Sequence, residues 1–160
     1  MFSGQQIADL IADLQYSHVI WLPDSLLGQW ETSLADDDRF RLLRVCREGE
    51  AWPLAAGLML GGQRPLVMMQ ITGFFESGDA LRNVAFDLQL PITAIVGARS
   101  WLNAQSKDSA KQFALPLVEA WGLPYCLIEK PDDLPLMRQQ LAGCLETRRP
   151  GLALIAEGRM

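Results

Sequence analysis

The sequence lacks the patterns that usually mark a metal centre, a redox site or a secreted protein. It has one histidine, His18, and three cysteines, Cys46, Cys126 and Cys144, whose spacing matches neither a zinc site nor a Cys-x-x-Cys pair. An odd number of cysteines without a pattern is typical of a reducing cytosol, and Cys46 and Cys126 lie in apolar runs where small core residues are expected. Because the N-terminus also lacks the basic and apolar regions of a signal peptide, we expect a cytoplasmic protein.

A surplus of basic charge and long apolar runs are also absent. The net charge is −5, from 14 basic and 19 acidic residues, which argues against a nucleic-acid-binding surface. No apolar run reaches the length of a membrane span. The acidic cluster Asp36, Asp37 and Asp38 is expected to be a solvated loop, because adjacent carboxylates repel one another and stay hydrated.

What the sequence does contain is a regular alternation of apolar runs and helical patterns. With 49% hydrophobic residues, the 160-residue chain fits one globular domain, 1–160. Predicted strands lie at 18–22, 42–46, 65–69, 91–96, 125–128 and 151–156, and the intervening helices at 25–34, 50–60, 77–88, 107–121 and 132–146. The near-continuous apolar strands are typical of strands covered on both faces. We therefore predict an α/β fold, a three-layer α/β/α sandwich with a six-stranded parallel sheet.

Three local features of this prediction concern single residues. Ser3 and Gln6 form a possible capping box before a first helix that carries Ile7 and Leu14 on its apolar face. A turn is predicted at Gly73. In the helix at 107–121, Phe113, Leu117 and Trp121 are expected to lie on one face.

Polar residues follow the carboxyl ends of four predicted strands. They are Pro23-Asp24-Ser25, Arg47-Glu48-Gly49, the loop at 70–77, and the segment at 97–101 with Arg99 and Trp101. In a parallel sheet these loops meet at one edge, where α/β proteins bind their ligands. The pattern predicts a ligand site at this edge and leaves the ligand open.

Glu48 is the candidate for chemistry within that edge, and several neighbours have two interpretations. Glu48 can equally be an ordinary acidic residue in a first helical turn, stabilised by the helix dipole by about 0.3–1 kcal/mol. Glu50 is expected to point away from Glu48 into solvent. Asp24 and Ser25 can contact a substrate or cap a helix N-terminus, and one residue can do both. His18 is expected to be structural.

Four motifs in collinear order over residues 5–155 resemble the pyrimidine-binding (PYR) domain of thiamine diphosphate enzymes. The similarity is greatest to phosphonopyruvate decarboxylases and to the alpha subunit of sulfopyruvate decarboxylases. The matching motifs are Pro23-Asp24-Ser25, Glu48-Gly49-Glu50-Ala51 with the small residues at 54–57, the loop at 69–76 in part, and the Pro-led strand at 91–96 followed by Arg99. The resemblance implies the thiamine diphosphate-binding fold of the PYR type.

The resemblance also implies a chemical role for Glu48. In such enzymes a Glu at this position hydrogen-bonds a ring nitrogen of the aminopyrimidine and favours the imino tautomer, which takes the proton from the thiazolium carbon that attacks a 2-oxo acid. The cofactor contacts implied are Glu48, Gln70, Thr72, Gly73 and Phe74. The substrate contacts implied are Asp24, Ser25 and Arg99. Arg99 can hold an anionic tail or pair with a surface acid, and Phe74 and Trp101 can line a pocket or belong to the core.

The sequence departs from the family pattern at two places. In the loop at 71–76, only Gly73 keeps its identity and Thr72 keeps a hydroxyl group. Glu76 replaces a neutral residue there, and it is expected to repel a dianionic substrate if it faces the site. Pro53 is expected to be tolerated in the early helix only within its first turn.

One part of the cofactor site has no counterpart in this sequence. Thiamine diphosphate is held through Mg²⁺ on a PP domain with a Gly-Asp-Gly signature, and the only Gly-Asp pair here, Gly78-Asp79, is followed by Ala80. We therefore expect a separate PP-domain (beta) subunit, in an α2β2 or larger assembly. The function predicted is the alpha subunit of a thiamine diphosphate-dependent 2-oxoacid decarboxylase. The alternatives are a carboligase or synthase subunit and a non-catalytic PYR-like binding module.

Overall fold

The structure is a computed structural model that describes residues 2–24 and 27–158. Its centre is a six-stranded sheet in the order β2-β1-β3-β4-β6-β5, in which every neighbouring pair of strands is parallel. The strands are β1 (His18–Trp21), β2 (Arg41–Arg44), β3 (Pro65–Gln70), β4 (Thr93–Ala98), β5 (Tyr125–Ile128) and β6 (Gly151–Ala156). The predicted parallel α/β sheet is confirmed.

Helices cover both faces of this sheet. They are α1 (Gly4–Asp13), α2 (Glu31–Ala35), α3 (Glu48–Leu60), α4 (Ile71–Glu76), α5 (Gly78–Arg82), α6 (Ser109–Trp121) and α7 (Leu134–Thr147). Short 3-10 helices span Leu27–Trp30 and Pro131–Asp133, and a π-helical turn spans Asn83–Asp87. One apolar core lies between the sheet and α1, α2 and α7, and the other lies between the sheet and α3 to α6. The result is the predicted three-layer sandwich. None of the described helices is long and apolar enough to cross a bilayer.

The position of a strand in the sheet decides how well its apolar run predicts burial. Strands β4 and β6 are central and fully buried, whereas β2 is an edge strand with exposed ends at Arg41 and Arg44. Because the chain leaves the sheet after Arg44, Cys46 is exposed, and its predicted place in the core was wrong. Cys126, on β5, is buried as predicted.

Two helices show how local patterns succeed and fail. The Ser3 capping box is confirmed, since the Gln6 N–H donates to Ser3 Oγ at 3.2 Å and the Ser3 N–H donates to Gln6 Oε1 at 2.9 Å. In α6 the buried face consists of the small residues Ala110, Ala114 and Val118. Phe113, which was expected to share one face with Leu117 and Trp121, is 54% exposed and does not belong to the buried face.

The chain after β3 is folded differently from the prediction. Helix α4 begins directly after the strand, with Gln70 as its N-cap residue, so Gly73 lies inside a helix and not in a turn. The predicted single helix at 77–88 is divided into α5 and the π-helical turn. Because α3 begins at Glu48, Pro53 lies in its second turn and cannot donate a hydrogen bond to the Gly49 carbonyl, contrary to the expected first-turn position.

Candidate functional site

The first turn of α3 brings Glu48 to the carboxyl edge of the sheet. Arg47, the N-cap residue, makes no side-chain cap, and two other acids satisfy the free backbone donors. Glu76 Oε2 accepts from the Gly49 N–H at 3.0 Å, and Glu50 Oε2 accepts from the Cys46 N–H at 3.1 Å. Glu48 itself is half-buried and makes no hydrogen bond or ion pair with another described residue. Its carboxylate is therefore available to a ligand.

Gly73 of α4 lies directly beneath the Glu48 side chain. A Cβ atom placed on Gly73 would be 2.6 Å from Glu48 Oε1 and 2.7 Å from Cδ, well inside van der Waals contact. Only glycine allows this approach, because it has no side chain. The structure thus brings together two residues that the sequence singled out separately.

Buried contacts hold α4 in this position. Ser77 Oγ donates to the Gly73 carbonyl at 2.7 Å and accepts from Trp52 Nε1 at 2.8 Å. The Phe74 ring packs edge-on against Trp52, with centroids 6.2 Å apart, and Phe74 is 0% exposed. Phe74 therefore belongs to the core, the second of its two interpretations, and this packing does not support the predicted cofactor contact of its ring.

Glu76 does not present an unbalanced negative charge. Its Oε1 lies 2.6 Å from Arg47 Nη2, and this hydrogen bond holds the pKa of Glu76 below its ordinary value. The Arg47 guanidinium offsets the charge of the Glu76 carboxylate locally, and the expected repulsion of a dianionic substrate stays a prediction. Glu76, which departs from the family pattern, thus has a structural role at the start of α3.

A cleft of about 580 Å³ opens at the same edge of the sheet. Its lining consists of Asp24, Gln70, Arg99, Ser100, Asn103, Glu157 and Gly158. Three predicted site residues, from the ends of β1, β3 and β4, thus share one cavity. Asp24 Oδ1 also accepts from the Leu27 N–H at 2.7 Å, in agreement with the capping interpretation, while its contact with a substrate stays a prediction. Ser25 lies outside the described residues.

Arg99 forms one of its two predicted contacts, and the other stays a prediction. Its Nε lies 2.9 Å from Asp108 Oδ2, so it forms the expected surface ion pair. Its side chain is 53% exposed and also lines the cleft. The guanidinium can therefore reach an anion in the cleft while Asp108 orients it.

Glu157, which follows β6 directly, was not predicted from the sequence. It is only 7% exposed, and burial together with the neighbouring Asp24 carboxylate raises its pKa to about 7, against the opposing effect of Arg99. A general signal could have identified it, because any residue directly after a parallel strand lies at the ligand edge of the sheet. The loops considered from the sequence ended with the fourth strand.

The remaining candidates lie around this centre. Thr72 is exposed, and its hydroxyl donates to Gln70 Oε1 at 3.0 Å. Trp101 Nε1 donates to Glu129 Oε1 at 2.9 Å. His18 is the first residue of β1 and so lies at the amino end of the strands, away from the cleft. Its Nδ1 lies 2.9 Å from Ser17 Oγ, in agreement with a structural role. Among residues 2–24 and 27–158, no group of His, Cys, Asp and Glu side chains could hold a metal ion.

Comparison with known proteins bears on the fold and on the resemblance. No model of a protein family matches the sequence. The chain is 29% identical over 126 residues to a sulfopyruvate decarboxylase of Methanosarcina acetivorans, with 74% of this chain and 31% of the relative covered. It is 27% identical over 137 residues to the sulfopyruvate decarboxylase subunit alpha of Methanococcus maripaludis, with 83% and 81% covered.

A solved structure gives the corresponding comparison of folds. The crystal structure of benzoylformate decarboxylase from Polynucleobacter necessarius matches with a TM-score of 0.74 and 17% identity, over 98% of this chain and 30% of that one. The chain has a PYR-type fold. The predicted resemblance to the PYR domain of thiamine diphosphate-dependent decarboxylases is confirmed. The chain spans about a third of the Methanosarcina relative and of the solved structure.

Proposed function

We propose that this chain is the alpha subunit of a thiamine diphosphate-dependent 2-oxoacid decarboxylase similar to the sulfopyruvate and phosphonopyruvate decarboxylases. The observation that carries the proposal is the Glu48 carboxylate, which is half-buried, uncommitted to any described residue and seated on Gly73 at the carboxyl edge of the sheet. The names of the two curated relatives support the same activity.

The residues at the start of α3 and α4 suit the aminopyrimidine part of the cofactor. Glu48 would hold a ring nitrogen and exchange a proton with it through a carboxylate oxygen. Gln70 and Thr72, which are joined by a hydrogen bond, would offer an amide and a hydroxyl group beside it. When bound, thiamine diphosphate supplies the electron sink that makes decarboxylation of a 2-oxo acid possible.

The described residues do not suit the Mg²⁺-diphosphate part of the cofactor. Mg²⁺ prefers oxygen ligands, and the described residues contain no group of carboxylates arranged to hold a metal ion. We infer that a separate PP-domain (beta) subunit supplies these ligands in an α2β2 or larger assembly. The Methanococcus maripaludis relative is itself named as a subunit alpha.

The substrate class follows from the charges in and near the cleft. Arg99 offers a half-exposed guanidinium, and the Glu76 carboxylate is paired with Arg47. The lining also contains two acidic residues, Asp24 at the end of β1 and Glu157 after β6. A small anionic 2-oxo acid suits this arrangement, with its tail on Arg99 and its reacting end toward Glu48.

Native mass spectrometry tests the assembly directly. The protein is purified from its own cells with Mg²⁺ present, and we expect a complex that contains a second chain of similar size and thiamine diphosphate. A homo-oligomer that takes up no cofactor, even when thiamine diphosphate is added, would contradict the proposal and favour a non-catalytic binding module. With the complex in hand, 2-oxo acids are screened for CO₂ and aldehyde, and a hydroxyketone product would identify a carboligase instead.

A further inference from the structure

Two carboxyl groups meet in the cleft above Gly97 of β4. Asp24 comes from the end of β1 and Glu157 from the end of β6, so the chain brings them together from 133 positions apart (157 − 24). A Cβ atom on Gly97 would lie 3.2 Å from Asp24 Oδ2 and 3.2 Å from Glu157 Cδ. Both carboxyl groups therefore pack against the backbone of Gly97, which has no side chain to separate them from it.

Glu157 is fixed in this place by its backbone and is buried by its surroundings. Its N–H donates to the Ala98 carbonyl at 3.0 Å, and its own carbonyl accepts from the Leu102 N–H at 2.9 Å. Its Oε1 is buried and has no hydrogen-bond partner among the described residues. A buried carboxyl oxygen without a partner is costly when ionised, so this group favours a proton or a ligand.

The groups that face Glu157 determine how tightly it holds a proton. Burial has the largest effect, the Asp24 carboxylate adds to it, and Arg99 opposes both, with a resulting pKa of about 7. The other side chains of the lining, Gln70, Ser100 and Asn103, carry no charge. Arg99 is itself paired with Asp108, which reduces its effect on the cleft.

We propose that Asp24 and Glu157 share one proton in this cleft and that Glu157 donates this proton to the substrate during turnover. The donation step rests on the proposed decarboxylase function. Conversion of a 2-oxo acid anion into CO₂ and an aldehyde breaks the bond between the carboxylate carbon and the carbonyl carbon. The electron pair of that bond ends in a new C–H bond, so one proton is consumed. Glu157 supplies it, becomes a carboxylate and regains a proton from water.

The shared proton is tested on the full chain without cofactor. Glutamate side chains are labelled with ¹³C at the carboxyl carbon, the Glu157 signal is assigned by its absence in Glu157→Gln, and its chemical shift is followed against pH. We expect a midpoint near 7 in the wild type. In Asp24→Asn the midpoint should fall below the wild-type value, because the neighbouring charge is gone while the burial of Glu157 remains. A wild-type midpoint near 4.5, or an unchanged midpoint in Asp24→Asn, would overturn the shared proton.

The donation step is tested on the complex with its partner subunit, Mg²⁺ and thiamine diphosphate, using sulfopyruvate as the probe substrate. We expect Glu157→Gln to lower kcat by about 100-fold, within the range typical of general acids, with a smaller change in KM and loss of the pH dependence near 7. Glu146→Gln, an exposed acid on α7, is the matched control and should keep wild-type kinetics.

The outcomes separate this proposal from the function on which it rests. Wild-type kcat and pH profile in Glu157→Gln would overturn the donation step while leaving the decarboxylase intact. A wild-type complex that releases no CO₂ from sulfopyruvate or other 2-oxo acids would overturn the proposed function and the donation step together. In that case a midpoint near 7 that falls in Asp24→Asn still supports the shared proton.

Discussion

The Glu48 side chain occupies the space where a Cβ atom of residue 73 would lie, so any side chain at this position would displace it. The two residues belong to different helices, α3 and α4, which begin at the carboxyl ends of β2 and β3. Ser77, Trp52 and Phe74 hold α4 from inside the core. The orientation of one half-buried carboxylate thus depends on the packing of α4.

Gly73→Ala should impair activity more than stability. The methyl group collides with Cγ and the carboxyl group of Glu48, so this side chain has to rotate away, and alanine favours the α4 helix by up to about 1 kcal/mol. We expect decarboxylation by the assembled complex to fall by at least about tenfold, which corresponds to about 1.4 kcal/mol, with little change in Tm. Steady-state kinetics and thermal unfolding measure the two effects.

Gly57→Ala is the matched control for this variant. Gly57 is an exposed residue of α3, and a Cβ atom there meets nothing within 4 Å. This variant should gain up to about 1 kcal/mol of stability and keep wild-type activity. If Gly73→Ala also kept full activity, the orientation of Glu48 by Gly73 would not matter for catalysis.

Ser77→Ala should lower the free energy of unfolding by about 1–3 kcal/mol, because Trp52 Nε1 and the Gly73 carbonyl lose a buried hydrogen-bond partner. Chemical denaturation measures this loss. In a double-mutant cycle with Trp52→Phe, the double variant should lose less stability than the sum of the losses in the two single variants. The reason is that Trp52→Phe removes the donor that Ser77→Ala leaves unpaired. If the two losses were strictly additive, the Trp52–Ser77 hydrogen bond would contribute nothing to the free energy of unfolding.

Glu157 should make the folded protein less stable as the pH rises. Its pKa is raised from 4.5 to about 7 in the folded state, so the folded state binds the proton more tightly than the unfolded chain. The stability associated with this proton is fully present below pH 4.5 and is lost progressively between 4.5 and about 7. Over that window the wild type should lose on the order of 3 kcal/mol relative to Glu157→Gln. Denaturation at several pH values measures the difference, and a constant difference would contradict the assignment.

The Arg47–Glu76 pair should give stability the opposite dependence on pH, so that its contribution is lost as the pH falls. The hydrogen bond from Arg47 lowers the folded-state pKa of Glu76 below 4.5, so its contribution is present above 4.5 and is lost as the pH falls through the folded-state pKa. Glu76→Gln keeps an acceptor for the Gly49 N–H and removes only the charge. Wild type and variant should therefore converge in Tm at low pH and also at high salt, because the pair is exposed. If the difference in Tm between wild type and Glu76→Gln depended on neither pH nor salt, the ion pair would be excluded as its cause.

The sheet and the position of Glu48 were predictable because both follow from short-range patterns. Apolar runs separated by helical segments identify parallel strands, and the residue after a strand lies at the ligand edge wherever the strand is in the sheet. The exposure of Cys46 was not predictable in this way, since it depends on β2 being an edge strand.

The interior of the site depends on contacts between distant segments, and these have no local signal. Gly73 resembles a turn residue in the sequence, but it lies inside α4, and a glycine is needed there because Glu48 occupies the space of a side chain. The pairing of Asp24 with Glu157 depends on the strand order, which places β6 beside β4. The apolar residue Phe113 is exposed, because α6 packs through Ala110, Ala114 and Val118.

The measurement that tests the central claim most directly compares Glu48→Gln with Glu50→Gln in the complex with the partner subunit. Both residues lie in the first turn of α3, and Glu50 only accepts a hydrogen bond from the Cys46 N–H, which glutamine can replace. CO₂ release from 2-oxo acids is measured after native mass spectrometry has shown that each complex is intact. We expect Glu48→Gln to lose at least about 100-fold in kcat and Glu50→Gln to remain near the wild type. Wild-type turnover in an intact Glu48→Gln complex would contradict the claim that Glu48 activates the cofactor.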